Sequence, residues 1–169
     1  MNVADLCFDE LQVGFRFAPL DKGLITTAHI MRWSAAVENW HRIHYDYRFA
    51  TEHDKLPDVL INGSWKQHVL VQLLKDGLGH KGWLWKMKFR YKKMDLAGES
   101  LRATAEVTGL QVVDGLGFVT LGILLLTDKD EISTVGTAIG VLPLRGGRAV
   151  PYPFERKAEY AVLQLPADD

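Results

Sequence analysis

Asn62-Gly63-Ser64-Trp65-Lys66-Gln67-His68-Val69-Leu70-Val71-Gln72-Leu73-Leu74-Lys75 is the stretch that decides the fold. Trp65, Val69 and Leu73 follow one another in steps of four, and Leu70 and Leu74 repeat the step one position later. Such spacing stacks apolar side chains over a broad helical face, so it predicts a long, mostly buried helix over roughly 64–75. Gly77 and Gly79 are the glycines expected to end it.

Outward from that helix the period changes. Trp83, Trp85, Met87, Phe89 and Tyr91 alternate with Lys86, Lys88, Arg90 and Lys92, as in a strand with one buried and one wet face. Leu101, Ala103, Ala105 and Val107 alternate in the same way with Arg102, Thr104, Glu106 and Thr108. Asp114-Gly115 signals a hairpin before the apolar run 118–126, and Asp128-Lys129-Asp130 turns into a last strand near 133–142. On the N-terminal side, Val13–Ala18 after Gly14 predicts a short strand. Ile30, Trp33, Val37 and Trp40 predict a helix over 30–40, with Thr26 or Thr27 as its N-cap. Asp46 is placed to cap a helical turn over Tyr47–Glu52, which Leu56-Pro57 breaks. A long helix followed by hairpin-connected strands predicts an α+β fold in which an antiparallel sheet wraps the helix. One domain is expected over 1–145, followed by a loosely held tail over 146–169 marked by Gly146-Gly147, Pro151 and Pro153.

The bulk properties narrow the function. A chain of 169 residues, 47% hydrophobic and 24% charged, is the size and balance of one globular domain. A net charge of −1 draws it neither to nucleic acid nor to an anionic membrane surface. No run approaches the ~18 apolar residues of a membrane span, and Met1–Asp5 lacks the basic-then-apolar order of a leader, so a cytoplasmic location is expected. Cys7 is the only cysteine, which excludes an internal disulfide and a thiolate metal cluster.

The most informative loop is Glu38-Asn39-Trp40-His41-Arg42-Ile43-His44-Tyr45-Asp46-Tyr47-Arg48-Phe49-Ala50, with Val59-Leu60-Ile61-Asn62-Gly63 beyond it. Here the chain resembles the MaoC-like acyl dehydratases, which include the (R)-specific enoyl-CoA hydratases and share the hot-dog fold. His44-Tyr45-Asp46 and Phe49-Ala50 fit that family's His-x-Asp…Ala frame. Ile61-Asn62-Gly63 stands where the family has an apolar-His-Gly turn opening the central helix, and Leu96-Ala97-Gly98-Glu99-Ser100-Leu101 resembles its Gly-Asp-x-Leu segment. The resemblance spans about residues 12–142. Two departures stand out: Asn39 occupies the position of the family's catalytic Asp, and His41-Arg42 replaces its Asn-Pro. Asn39-Trp40-His41-Arg42-Ile43-His44 is similar to an Asn-x-His-Arg-Ile-His branch of the family.

The resemblance implies hydration of a 2-enoyl-CoA or the reverse dehydration, with no cofactor beyond the coenzyme A thioester itself. His44, with an ordinary pKa of ~6.5, exchanges a proton near neutrality, and such help is worth ~10²–10⁴ in rate. The Gly63 amide at a helix N-terminus faces the thioester oxygen, and one such donor is worth about 2.7–4 kcal/mol in the transition state. Asn62 lies beside it in the same turn. Asn39 does not titrate, so a one-base mechanism is expected, with His44 as acid and base and Asn39 positioning water. Glu38 is the alternative carboxylate, pointing about 100° away while the helix lasts.

Plainer readings stand beside these. Asn39 is equally suited to end its helix, Asn62 to flank an N-cap, and Gly63 to meet a backbone constraint. Glu38, His41 and His44 resemble half of a metal site, but His29, His53, His68 and His80 are scattered, so no metal is expected. Lys86, Lys88, Arg90 and Lys92 are read as a solvated face in preference to a coenzyme A phosphate stripe. Trp33, Trp40, Trp65, Trp83 and Trp85 are read as packing in preference to an acyl pocket. A hot-dog thioesterase and a silent subunit paired with an active MaoC-like chain are the competing functions. The partners expected are an acyl-CoA substrate and a second copy in a homodimer or higher oligomer, with a heteromer with another hot-dog chain as the alternative. The apolar run 118–126 is the reason to expect a second copy.

Overall fold

The computed structural model describes residues 6–165; Met1–Asp5, read above for a leader, and residues 166–169 of the tail lie outside them. In chain order the elements are β1 (Leu20–Leu24), α1 (Thr27–Ala36), α2 (Gly63–Leu78), β2 (Trp83–Tyr91), β3 (Ser100–Val113), β4 (Leu116–Thr127) and β5 (Ile132–Pro143). The strands form one antiparallel five-stranded sheet in the order β1-β3-β4-β5-β2. Its concave face wraps α2, whose Val69, Leu70, Leu73, Leu74 and Leu78 are buried against Leu101, Ala103, Ala105, Leu121, Ile123 and Ala138 of the sheet. This is the α+β arrangement that the helix-then-meander order predicts and the hot-dog fold that the resemblance implies. No helix among the described residues is long and apolar enough to cross a membrane.

Several boundaries move, each for a local reason. α2 runs on through Gly77, because that glycine lies where Phe17 packs against the helix and leaves no room for a Cβ; Gly79, at φ 72, is the residue that ends it. The first strand is β1 and not Val13–Ala18, where only Arg16 forms a bridge, to Glu106. Pro19 between them has no N–H to give to the ladder. α1 begins at Thr27 behind the Thr26 N-cap, as expected, but stops at Ala36, four residues early. The Asp114-Gly115 hairpin forms with both residues at positive φ (50 and 67), and the Asp46 carboxylate accepts the Phe49 N–H at 3.0 Å, capping the turn after it.

β2 carries a bulge between Leu84 and Lys86. From Met87 onward the alternation holds, but the extra residue moves Trp85 to the convex face of the sheet. There Trp85 meets Phe118, Phe154 and Tyr160 at ring-centre distances of 5.7–5.8 Å. Phe154, Tyr160 and Leu163 come from the segment expected to be loose; it packs as a second apolar cluster with Tyr160 and Leu163 buried. Lys86, half-buried and not on a solvated face, stacks over Trp85 at 4.1 Å and donates to the Leu163 carbonyl at 2.9 Å. The run 118–126 is the middle strand β4, covered by α2 on one side and on the other by the tail only near Phe118, which leaves Leu124 and Leu126 half-buried.

Candidate active site

The loop between α1 and α2 is built by its own polar groups. The Glu38 N–H donates to Ala35 O and the Asn39 N–H to Ser34 O, closing α1 with Glu38 in the left-handed region at φ 54. Asn39 therefore lies beyond the helix, as the plainer reading allowed. Its side-chain oxygen accepts the His41 N–H at 3.2 Å and starts the 3₁₀ turn Arg42–His44. Arg42 pairs with Asp46 at 2.7 Å and stacks on Phe49 at 4.4 Å, clamping the far side of that turn. Glu38 is exposed on the turn, clear of the helix face on which it was placed.

This bracing turns His44 inward, leaving it 7% exposed. Its Nδ1 lies 2.7 Å from the Leu60 carbonyl oxygen. A carbonyl only accepts, so Nδ1 carries the proton and Nε2 keeps the lone pair. The backbone closes the same contact, with the Leu60 N–H donating to Ile43 O at 2.9 Å. Burial pushes the His44 pKa below 6.5; the Leu60 carbonyl works against that and the nearby His41 adds to it. His44 is thus a neutral imidazole near pH 7 with an unprotonated Nε2.

Leu60 stands three residues before Gly63, so the carbonyl anchoring His44 and the start of α2 are within ~11 Å along the chain. Asn62 is the N-cap residue of α2, yet its side chain makes no capping bond; it is buried and paired with Ser34 at 3.0 Å. The Asn62 carbonyl accepts from Trp65 and Lys66, which leaves the Gly63 and Ser64 N–H groups as the open donors of the first turn. Gly63 does not need positive φ. It is a glycine because the Tyr91 ring lies against it, where an added Cβ would meet that ring at 3.0 Å. The neighbouring Ser64 hydroxyl accepts the Trp33 indole N–H at 2.8 Å.

Asn39 and His44 thus lie on the α1–α2 loop, Asn62 and Gly63 open α2, and Glu38 is exposed on the turn that ends α1. A cleft of about 410 Å³ opens between α1 and α2, lined by Lys22, His29, Arg32, Trp33 and Trp65 among others, and neither His44 nor Gly63 lines it. Among the described residues no group of His, Cys, Asp and Glu is placed to hold a metal. Sequence reasoning missed Ser34, Tyr91 and a buried pair, Lys66 with Asp95 (3% and 0% exposed), whose Nζ to Oδ2 distance is 2.7 Å. The available signal was Lys66 itself, a charge in register with Leu70 and Leu74 on the apolar face of α2.

A family model described as hydroxyacyl-thioester dehydratase type 2 matches residues 17–99, which hold the whole loop and α2. No curated protein matches the chain. Among solved structures the chain is similar to the (R)-hydratase from A. caviae involved in PHA biosynthesis, at 24% identity over 79% of this chain and 98% of that one, with a TM-score of 0.70. It is similar to the R-hydratase PhaJ1 from Pseudomonas aeruginosa at 16% identity, over 98% and 96% of the two chains, with a TM-score of 0.73. It is also similar to a MaoC-like dehydratase from Rhodospirillum rubrum at 19% identity, over 83% and 98%, with a TM-score of 0.69. These structures share its fold.

Proposed function

We propose that this chain, which has the hot-dog fold and matches a hydroxyacyl-thioester dehydratase family model over residues 17–99, adds water reversibly across the double bond of a 2-enoyl thioester, with coenzyme A as the thiol. The observation that carries this reading is the locked tautomer of His44, whose Nδ1 is tied to Leu60 O and whose Nε2 is bare, close in the chain to an uncapped helix N-terminus. Water attacks C3 while Nε2 takes one of its protons. The electron pair of the double bond moves toward the thioester oxygen, where the Gly63 and Ser64 amides and the positive end of α2 hold the charge. Nε2 then returns the proton to C2, so the ring ends as it began. Asn39, its carbonyl already tied to His41, offers its NH₂ to the attacking water.

With Asn39 in place of the family's aspartate, one base, His44, serves both half-reactions in this scheme. A second copy would extend the sheet along the open edge of β2, giving a homodimer. The test is a panel of short, branched and polycyclic 2-enoyl-CoA thioesters, assayed with wild type and His44→Ala. Loss of enoyl absorbance without free thiol, abolished by the substitution, is the expected result. Release of free thiol would make the chain a thioesterase, and a wild type inert on every thioester until another hot-dog chain is added would make it a silent subunit.

A further inference from the structure

A polar cluster that this acid–base scheme does not use lies beneath the first turn of α2. The Lys66 ammonium donates to Asp95 Oδ2 at 2.7 Å and to the Lys93 carbonyl at 2.9 Å. Ser133 Oγ donates to the same carboxylate oxygen at 2.5 Å. The ammonium also stands 4.8 Å from the centre of the Tyr91 ring, and the Tyr91 hydroxyl donates to the Gly63 carbonyl at 2.6 Å. Resting on the hydration reading, we propose that Tyr91 is a positioning residue for the oxyanion donors: its hydroxyl pins the Gly63–Ser64 peptide and sharpens the Ser64 N–H as a donor.

The reasoning is electrostatic. A donor placed on a peptide oxygen draws charge from the amide and makes the N–H of that same peptide a stronger donor. The preceding peptide, Asn62–Gly63, receives the same treatment from the Trp65 and Lys66 N–H groups. The two open amides of the turn are therefore both backed by a hydrogen bond on their own carbonyl, one from the helix and one from Tyr91. Tyr91 is 43% exposed, so core filling does not account for a tyrosine there. A buried ammonium–carboxylate pair gives little net stability over an apolar pair of the same shape; here the ammonium fixes the ring face from below while Gly63 admits the ring from above. Burial pushes the Tyr91 hydroxyl up from its usual value, so it keeps its proton and remains a donor through the neutral range.

Tyr91→Phe keeps the ring and removes the donor. In the labelled full chain without substrate, the Ser64 amide proton and the Gly63 carbonyl carbon are expected to move upfield in NMR spectra. In hydration assays kcat is expected to fall about 3- to 10-fold with KM nearly unchanged, a fraction of the ~10²–10³ that loss of a whole oxyanion donor costs. Unmoved Ser64 and Gly63 signals overturn the inference, and so does an unchanged kcat in a chain whose wild type hydrates enoyl-CoA. A wild type inert on all enoyl-CoA thioesters would instead overturn the hydration reading, and the NMR shifts would still decide whether Tyr91 holds that peptide.

Discussion

The two faces of the sheet are closed in different ways. The concave face is sealed by α2, and at one end of that helix polar groups are planted in the apolar interior: His44, Asn62 with Ser34, and Lys66 with Asp95 and Ser133. The convex face is covered in part by the tail, where Trp85, Phe118, Phe154 and Tyr160 pack ring on ring. Its polar contacts are those of Lys86 with the Leu163 carbonyl and, at the hairpin tip, of Asp114 with Arg148, Lys157 and the Tyr160 hydroxyl. The contrast teaches that chemistry and stability are separable here. Polar groups buried at the N-terminal end of α2 are costly unless partnered, and each partner found there orients a donor or an acceptor; the aromatic clasp only holds the sheet.

Substitutions on the two faces should then have opposite signatures. The largest expected effect is His44→Ala, which should lower kcat/KM for hydration by ~10²–10⁴ while the fold persists; steady-state kinetics with a circular dichroism control check it. Next is Lys66→Met, which strands a buried carboxylate and should cost about 3–5 kcal/mol of stability in urea unfolding. On the convex face, Trp85→Ala should cost no more than the ~3–5 kcal/mol of a fully buried ring, since Trp85 is only half-buried. It should leave kcat/KM of the folded fraction unchanged, and a matching loss of kcat would erase the contrast between the faces. The smallest effect belongs to Glu38→Gly, which relieves the left-handed backbone at φ 54 and should raise stability by about 1 kcal/mol with hydration intact. Loss of hydration in that variant would hand the catalytic part to the Glu38 carboxylate. His44 also sets a pH dependence of stability: its folded pKa is depressed, so the stability it contributes is complete above ~6.5 and is lost as pH falls through the folded value.

Long-period features were legible in the sequence. Four-residue steps gave α2, two-residue alternation gave β3 and most of β2, and Asp114-Gly115 gave the hairpin, because each is decided within one element. What escaped depends on distant contacts. Gly77 looked like a helix stop because nothing local shows Phe17 lying across it. Trp85 was assigned to the wrong face because one bulged residue inverts everything on its far side. The tail looked loose because its aromatic residues find their partners on strands far away in the chain. His44 and Gly63 were legible as residue types in a frame, whereas the locked tautomer depends on Leu60 and the open amides on Asn62 bonding Ser34 instead of capping. Tyr91 and Asp95 carried no local sign, since a tyrosine on an alternating strand and an aspartate in a loop are ordinary.

The most direct test of the account is a ¹⁵N-histidine NMR titration set beside the pH dependence of kcat/KM for enoyl-CoA hydration. The predicted result is a His44 protonated on Nδ1 and bare on Nε2 at neutral pH, titrating below 6.5, with the acid limb of kcat/KM falling at that same pH. A His44 carrying its proton on Nε2, or an acid limb that persists at the same pH in His44→Ala, would contradict it.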